Sequence, residues 1–407
     1  MACAKAYQSG KYREHKAGAT KMRWRIGQKW LVNCVSQYCI LQMNDKIVYK
    51  LILSSYITRD LTLKGIKLDR KQQLESWLQT RVNQPFTLTI ASADASFRRY
   101  FRVHLPNEYL GHKTLIAMDA PPPQEDCTPF VNVAKLLLDA GLNVPQVIAQ
   151  DLQNGFLLLS DLGDDTYLSA LTNETALKLY GDATDALIKM QLASKPELNK
   201  TIILPPYDEA LLTREMQLFP DWYVAKHLGF TMNAEQQSWL QQTFDALNKN
   251  ILAQGQVTVH RDYHSRNLMV THVNTPGMLD FQDAVHGAIT YDLVSLLKDA
   301  YIQWDEEQVI DLAVRYWEPA KKAGLPVPND FSEFYRDFEW MGTQRHIKVL
   351  GIFARLYHRD GKDGYLKDMP LVMHYLRKVC ERYVELRPML RLLDALEGRV
   401  PRPKYVV

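Results

Sequence analysis

The chain has 407 residues, 46% hydrophobic and 23% charged, and no run long and apolar enough to span a bilayer, so it reads as a globular protein of two or three domains. Its five cysteines (Cys3, Cys34, Cys39, Cys127, Cys380) are scattered with no CxxC pair, which argues against a disulfide framework or a zinc site and fits a reducing cytoplasm. The net charge of +3 is uneven: residues 1–70 hold 14 Lys and Arg against 4 Asp and Glu, and the remainder holds 35 against 42.

The head of the chain, through "KYREHKAGATKMRWRIGQKW", is basic, and no helix or strand is predicted there. It reads as an extension, residues 1–70, outside the folded unit. A nucleic-acid or membrane-surface arm is the competing reading, but nothing later resembles a nucleic-acid module, so neither nucleic acid nor membrane is expected as a partner. From Asp69 the texture changes. "DRKQQLESWLQTRV" places Leu74, Trp77 and Leu78 on one helix face. "FTLTIASADASFRRYFRVHL" alternates, breaks at "SADAS" and resumes, which predicts a hairpin. "KTLIAMDAPPP" is a third strand ended by prolines. A helix then opens near Thr128–Pro129 and closes at Gly141, and "GFLLLSDLG" is a buried strand. Residues 71–160 thus form a small lobe of antiparallel strands. Residues 161–407 form a mostly helical lobe interrupted by one polar hairpin.

That hairpin is "HRDYHSRNLMVTHVNTPGMLDFQDA". "NLMV" and "MLDF" are its predicted strands, with "NTPG" as the turn. Closing it sets Asn267 beside Asp280, with Asp262 on the preceding loop. Two carboxylates and a carboxamide then converge, an oxygen-only set suited to Mg²⁺ shared with phosphates, with one group left to act on a hydroxyl.

"HRDYHSRN" matches the pattern H-R-D-x-x-x-x-N, and "LDF" stands where a metal-binding D-F-G stands, with Gln282 in place of the glycine. With "DFQDA" and "YDLVSLL", these residues resemble the aminoglycoside/choline-kinase-like phosphotransferases over about residues 75–390. The resemblance implies an α+β, protein-kinase-like two-lobe fold: a small antiparallel-sheet N-lobe and a larger, mostly helical C-lobe. It implies an ATP-dependent, Mg²⁺-using enzyme with an alcohol acceptor. Asp262 is then the catalytic base, Asn267 and Asp280 the metal ligands, and His260, Arg261 and Asp292 supports of the catalytic loop. The nucleotide side departs from the pattern. The turn "SADASFRRY" has no glycine, and Met118 and Asp119 occupy the neighbourhood of the expected strand lysine. Either Arg98 and Arg99 supply the missing cation or they are solvated surface residues. Backbone near Ser160 and Leu162 is expected to face the adenine. Asp161 either turns toward the substrate or caps the next segment.

Two helical segments, "YDEALLTREMQLFPDWYVAKHLG" and "WMGTQRHIKVLGIFARLYHRDGK", are expected around the acceptor, with Asp161, Glu209, Asp283, Arg345 and Lys348 as candidate contacts. The second segment, with "DASFRRYFRV" and "MDAPPPQED", is similar to the bacterial cell-wall-recycling kinases. That implies phosphorylation of N-acetylmuramate and N-acetylglucosamine at the anomeric hydroxyl by a monomer. Another alcohol acceptor, or a non-catalytic nucleotide-binding protein, remains open. Residues 340–407 hold 14 Lys and Arg against 7 Asp and Glu, which suits an acidic sugar better than a polycation.

Overall fold

The structure, a computed structural model, describes residues 21–26, 30–35, 38–43, 46–52, 69–93, 97–193 and 203–399. The centre of the glycine-free turn, residues 94–96, and the basic stretch 11–20 lie outside the described residues. The chain divides into two compact units, Met1–Asn83 and Gln84–Val407.

The first unit holds an antiparallel meander of four strands, β1 (Lys21–Ile26), β2 (Trp30–Val35), β3 (Tyr38–Met43) and β4 (Lys46–Ile52), with a register shift at Leu41/Gln42. No strand was expected here. The basic residues mask the pattern, for in β1 Lys21, Arg23 and Arg25 alternate with Met22, Trp24 and Ile26, the period of a strand. Helix α1 (Arg70–Gln79) follows, its start fixed by a capping box between Asp69 and Gln72 at 2.9 and 3.2 Å. Leu74, Trp77 and Leu78 are its buried residues, as their spacing predicts.

The second unit begins with five antiparallel strands in the order β5-β6-β7-β9-β8: β5 (Thr87–Ala93), β6 (Arg99–Tyr109), β7 (His112–Asp119), β8 (Val147–Asp151) and β9 (Phe156–Ser160). The β6–β7 turn pairs Tyr109 with His112 across two residues of positive φ, Leu110 and Gly111, the geometry whose twist suits a two-residue hairpin. Strand β9, "FLLLS", is buried along its whole length because it lies between β7 and β8. Between β7 and β8, helix α2 (Thr128–Asp139) starts on Pro129 and ends at Gly141, whose φ of 73° lets Leu142 N–H return to Leu137 O.

After β9 the chain is mostly helical, as expected. The elements are α3 (Tyr167–Ala170), α4 (Asn173–Leu192), α5 (Glu209–Met216) and α6 (Ala234–Ala253). They continue with α7 (Tyr291–Leu297), α8 (Glu306–Lys322), α9 (Phe331–Asp360), α10 (Met369–Arg382) and α11 (Arg387–Leu396). None of the described helices is long and apolar enough to cross a membrane. One helical segment departs from expectation. After α5 the chain passes into a π-helix, Phe219–His227, instead of continuing as one amphipathic α-helix. Pro220 supplies no N–H for an i→i−4 bond there, and wider i→i−5 bonds take over, as from Leu228 N–H to Tyr223 O.

Helix α9 runs through the C-lobe core against the π-helix and α7. Their approach depends on Gly351. A Cβ there would lie 2.4 Å from the carbonyl carbon of Leu218, which is backbone and cannot rotate away. Gly351→Ala should therefore lower stability by more than about 2 kcal/mol, beyond the usual gain of alanine in a helix, read as a fall in the urea midpoint. An unchanged midpoint would mean the two helices separate freely.

Candidate active site

Two short ladders build the site. Strand β10 (Gln256–Val259) pairs with β13 (Val285–Ala288), and β11 (Leu268–Met269) pairs with β12 (Gly277–Met278). The inner hairpin is shorter than predicted. Its register sets Met269 opposite Gly277, so residues 270–276 form a wide loop rather than a four-residue turn. Pro276 has no N–H with which to extend the ladder. The expected juxtaposition survives this change, because Leu279 N–H bonds Asn267 O at 2.9 Å and Asp280 follows directly.

The loop from His260 to Asn267 is clasped at both ends by buried carboxylates. Asp292, on the first turn of α7, accepts from His260 N–H at 2.6 Å and Arg261 N–H at 3.0 Å. Asp299 accepts from Ser265 N–H at 3.0 Å and Ser265 Oγ at 2.5 Å. The first clasp holds Arg261 at a φ of 78°, a left-handed conformation costly for a side-chain-bearing residue. Asp280, with φ 64°, is strained in the same way, and Gln282 donates to its carboxylate at 2.7 Å. Burial pushes the Asp292 carboxyl up, to about 7, even against its two N–H donors. His260 is buried, held down to about 4 and hence neutral, and its ring packs edge-on to Tyr263 and Phe281. Asp299 was not singled out in the sequence, although "LLKDA" sets it seven residues, two helical turns, beyond Asp292.

Asp262 is half-buried on this loop. Burial alone would raise its pKa, but Lys348, His264, Arg345 and His260 outweigh it and hold the carboxyl below the usual range. The Asn267 amide nitrogen donates to Asp262 O at 3.0 Å, which turns the amide oxygen into the remaining acceptor. Asn267 and Asp280 line a cavity of about 310 Å³ whose apolar wall includes Ile116, Phe130 and Leu159. Among the described residues no three His, Cys, Asp or Glu side chains converge to hold a metal unaided. Asn267 and Asp280 fit instead a hard cation whose other ligands are phosphate oxygens and water.

The strand period separates the two candidate arginines. Tyr100 and Arg102 line the cavity, and Arg98 lies in phase with them. The Arg98 side chain is 15% exposed, is paired with Glu125 at 3.0 Å, and feels the charges of Asp280 and Asp283. Arg99 is out of phase, 47% exposed, and bound to the buried Asp119 at 2.5 Å. Met118 is buried, so no cation reaches the cavity from β7 at that position. Ser160 N–H is committed to Gln146 O at 3.0 Å, while Leu162 N–H makes no hydrogen bond among the described residues. Asp161 takes the capping alternative: it accepts from Gly163 N–H at 2.9 Å and from Arg102 Nε at 2.6 Å. Arg102 was not foreseen; it also forks onto Asp164 at 2.6 and 2.7 Å.

On the opposite side of the loop, Glu209 is an exposed first-turn residue of α5, where an acid suits the helix dipole. The buried acid of that helix is Glu215. It bonds Lys348 at 3.0 Å and also Arg261 and the Tyr207 hydroxyl. Lys348 and Arg345 are buried rather than free on a surface. Lys348 also donates to Tyr291 Oη at 2.9 Å, and Arg345 donates to Arg261 O at 3.0 Å and Tyr291 Oη at 3.3 Å. Asp283 is exposed, and its carbonyl accepts from Arg261 at 3.3 Å.

A strand-borne sheet, a clasped loop carrying Asp262, and a cavity lined by Asn267 and Asp280 describe a kinase-like phosphotransferase. The model of the phosphotransferase enzyme family matches residues 87–325, and the chain belongs to that family. The N-acetylmuramate/N-acetylglucosamine kinase of Neisseria meningitidis serogroup B is 49% identical over 336 residues, 81% of this chain and 97% of that protein. The protein of that name from Pseudomonas aeruginosa is 48% identical over 338 residues, 80% of this chain and 97% of its own length. Solved structures share the fold at low identity. The ethanolamine kinase of Plasmodium vivax has a TM-score of 0.56 at 11% identity, covering 87% of this chain and 98% of its own. An ADP-bound aminoglycoside phosphotransferase has a TM-score of 0.52 at 13% identity, covering 77% and 99%.

Glu215 makes the site sensitive to acid. Burial would raise its pKa, but Lys348 and Arg261 prevail and hold it at about 2, below its ordinary 4.5. The stability it contributes is present above pH 4.5 and is lost as pH falls toward 2. Urea unfolding of Glu215→Gln should show about 3 kcal/mol less of this acid-dependent loss than the wild type, and lower stability at pH 7. Identical pH profiles for the two proteins would rule out the buried ion pairs as the cause.

Proposed function

We propose that this enzyme transfers the γ-phosphoryl group of ATP to the anomeric hydroxyl of N-acetylmuramate and of N-acetylglucosamine. The observation that carries the reaction type is the pair Asn267 and Asp280 lining one cavity, with an ionised Asp262 on the same loop, its carbonyl bonded by the Asn267 amide. The acceptor class is carried over from the relatives at 48–49% identity.

In this reading the apolar wall of the cavity takes the adenine, with Leu162 N–H free to donate to it. Asn267 and Asp280 would hold Mg²⁺, which supplies charge neutralisation on the β- and γ-phosphates when bound. Arg98, held by Glu125, adds a guanidinium where the strand lysine is missing. Asp262 accepts a hydrogen bond from the sugar hydroxyl and aims its oxygen at the γ-phosphorus. As the new O–P bond forms and the bond to the β-phosphate oxygen breaks, the hydroxyl proton passes to Asp262 and ADP leaves. Lys348, His264 and Arg345 keep Asp262 ionised for this step, so positioning carries more of the rate than basicity.

Asp262→Asn should retain nucleotide binding while turnover falls at least about a hundredfold. Phosphorus NMR with N-acetylmuramate, N-acetylglucosamine, choline and kanamycin should give a sugar 1-phosphate with the amino sugars only. Phosphate on the 6-hydroxyl, or turnover of choline or kanamycin alone, would sink the acceptor assignment.

The two arginines should separate in the same assay. Arg98→Ala should raise the KM for ATP roughly tenfold or more, the scale of a lost charge-assisted hydrogen bond. Arg99→Ala should leave that KM alone and lower the melting temperature, because it removes an ion-pair partner of the buried Asp119. The reverse pattern would transfer the nucleotide role to Arg99.

A further inference from the structure

Helix α9 carries a line of cations on one face. Arg345, Lys348, Ile352, Arg355 and Arg359 follow the helical period, so their side chains leave the helix in similar directions. The first two identify what that face looks onto. Arg345 donates to the carbonyl of Arg261 at 3.0 Å, Lys348 reaches Glu215, and both act on the charge of Asp262. Arg355 lies seven residues beyond Lys348, about 10 Å further along the axis.

Arg355 differs from the other two in having nothing to bind. It is half-buried, and among the described residues it makes no hydrogen bond or ion pair. Its Nε is buried without a partner. Asp360, the acid nearest in sequence, is already held by both arms of the Arg359 guanidinium at 2.8 and 2.9 Å. Burial and the neighbouring charge of Arg359 both work against its positive charge, pulling its pKa down. Leaving the Nε donor of a half-buried guanidinium out of water without an acceptor is costly, and an anionic ligand would complete it. Arg345 spends its donors on a carbonyl and a hydroxyl and forms no ion pair among the described residues. The line of side chains that begins beside Asp262 thus ends on a guanidinium whose buried Nε has no partner among the described residues.

We propose that Arg355 is the acceptor-side anion subsite, gripping a carboxylate on the sugar while the sugar's hydroxyl rests at Asp262. This rests on the proposed acceptor class and refines it. N-acetylmuramate carries a lactyl carboxylate and N-acetylglucosamine does not, so Arg355 sets the preference between them. A guanidinium fork meets both carboxylate oxygens at once, a geometry that lysine cannot copy.

The test is steady-state kinetics of the full chain with both sugars, for wild type, Arg355→Gln and Arg355→Lys. In Arg355→Gln, kcat/KM for N-acetylmuramate should fall at least about tenfold through KM, with that for N-acetylglucosamine nearly unchanged. Arg355→Lys should fall between the wild type and Arg355→Gln. A purely structural role would lower both sugars together, and that result overturns the subsite. So does an unchanged ratio between the sugars while the wild type is active. A wild type that turns over neither sugar overturns the acceptor assignment, and the subsite with it.

Discussion

Everything at the site depends on the shape of the loop from His260 to Asn267, and that shape depends on Asp292. Two consecutive N–H groups, of His260 and Arg261, point at its buried carboxylate, and without that acceptor they would be stranded away from water. The same two bonds pin Arg261 in a left-handed conformation, which turns the chain immediately before Asp262. The cost is a carboxyl so buried that its pKa rises to about 7. A second carboxylate, Asp299, fixes the far end through Ser265. Both acids belong to the segment of α7 and its C-terminal exit, so one short helix sets the whole loop.

The electrostatics beneath the loop follow from that arrangement. Arg261 is turned so that its side chain meets Glu215, and Glu215 also binds Lys348. One acid between two cations leaves a positive surplus, to which Arg345 adds. That surplus falls on Asp262, and it explains why a carboxyl half out of water remains ionised. The charges serve first to hold the loop and only through it Asp262, so their removal touches stability and the state of that carboxyl together.

Much of this was legible in the sequence, and the failures have physical causes. The hairpin motif, the small antiparallel sheet and the helical remainder follow from local periodicity and turn chemistry, and local rules suffice for them. In the meander of β1 to β4, charge was read before alternation, although Met22, Trp24 and Ile26 carry a strand period. The choice of Glu209 over Glu215 was undecidable locally. Both acids lie on α5, and only the packing of α9 against the loop from His260 to Asn267 buries one and leaves the other in water. Arg98 and Arg99 are also neighbours in sequence, and it is their partners that separate them, Glu125 for the first and the buried Asp119 for the second. Arg102 escaped notice because its partners, Asp161 and Asp164, are some sixty residues away.

That arginine marks where the chain passes from one lobe to the other. Arg102 stands on the sheet and grips Asp161, the carbonyl of Gly163 and Asp164 together. The connecting segment after β9 is therefore tied to the sheet by the hydrogen bonds of one side chain. One residue further on, Asp165 O accepts from Val270 N–H at 2.7 Å, and Thr166 bridges to Met269, so the chain already belongs to the helical lobe. The boundary between chain held by the sheet and chain held by the helical lobe thus falls between Asp164 and Asp165.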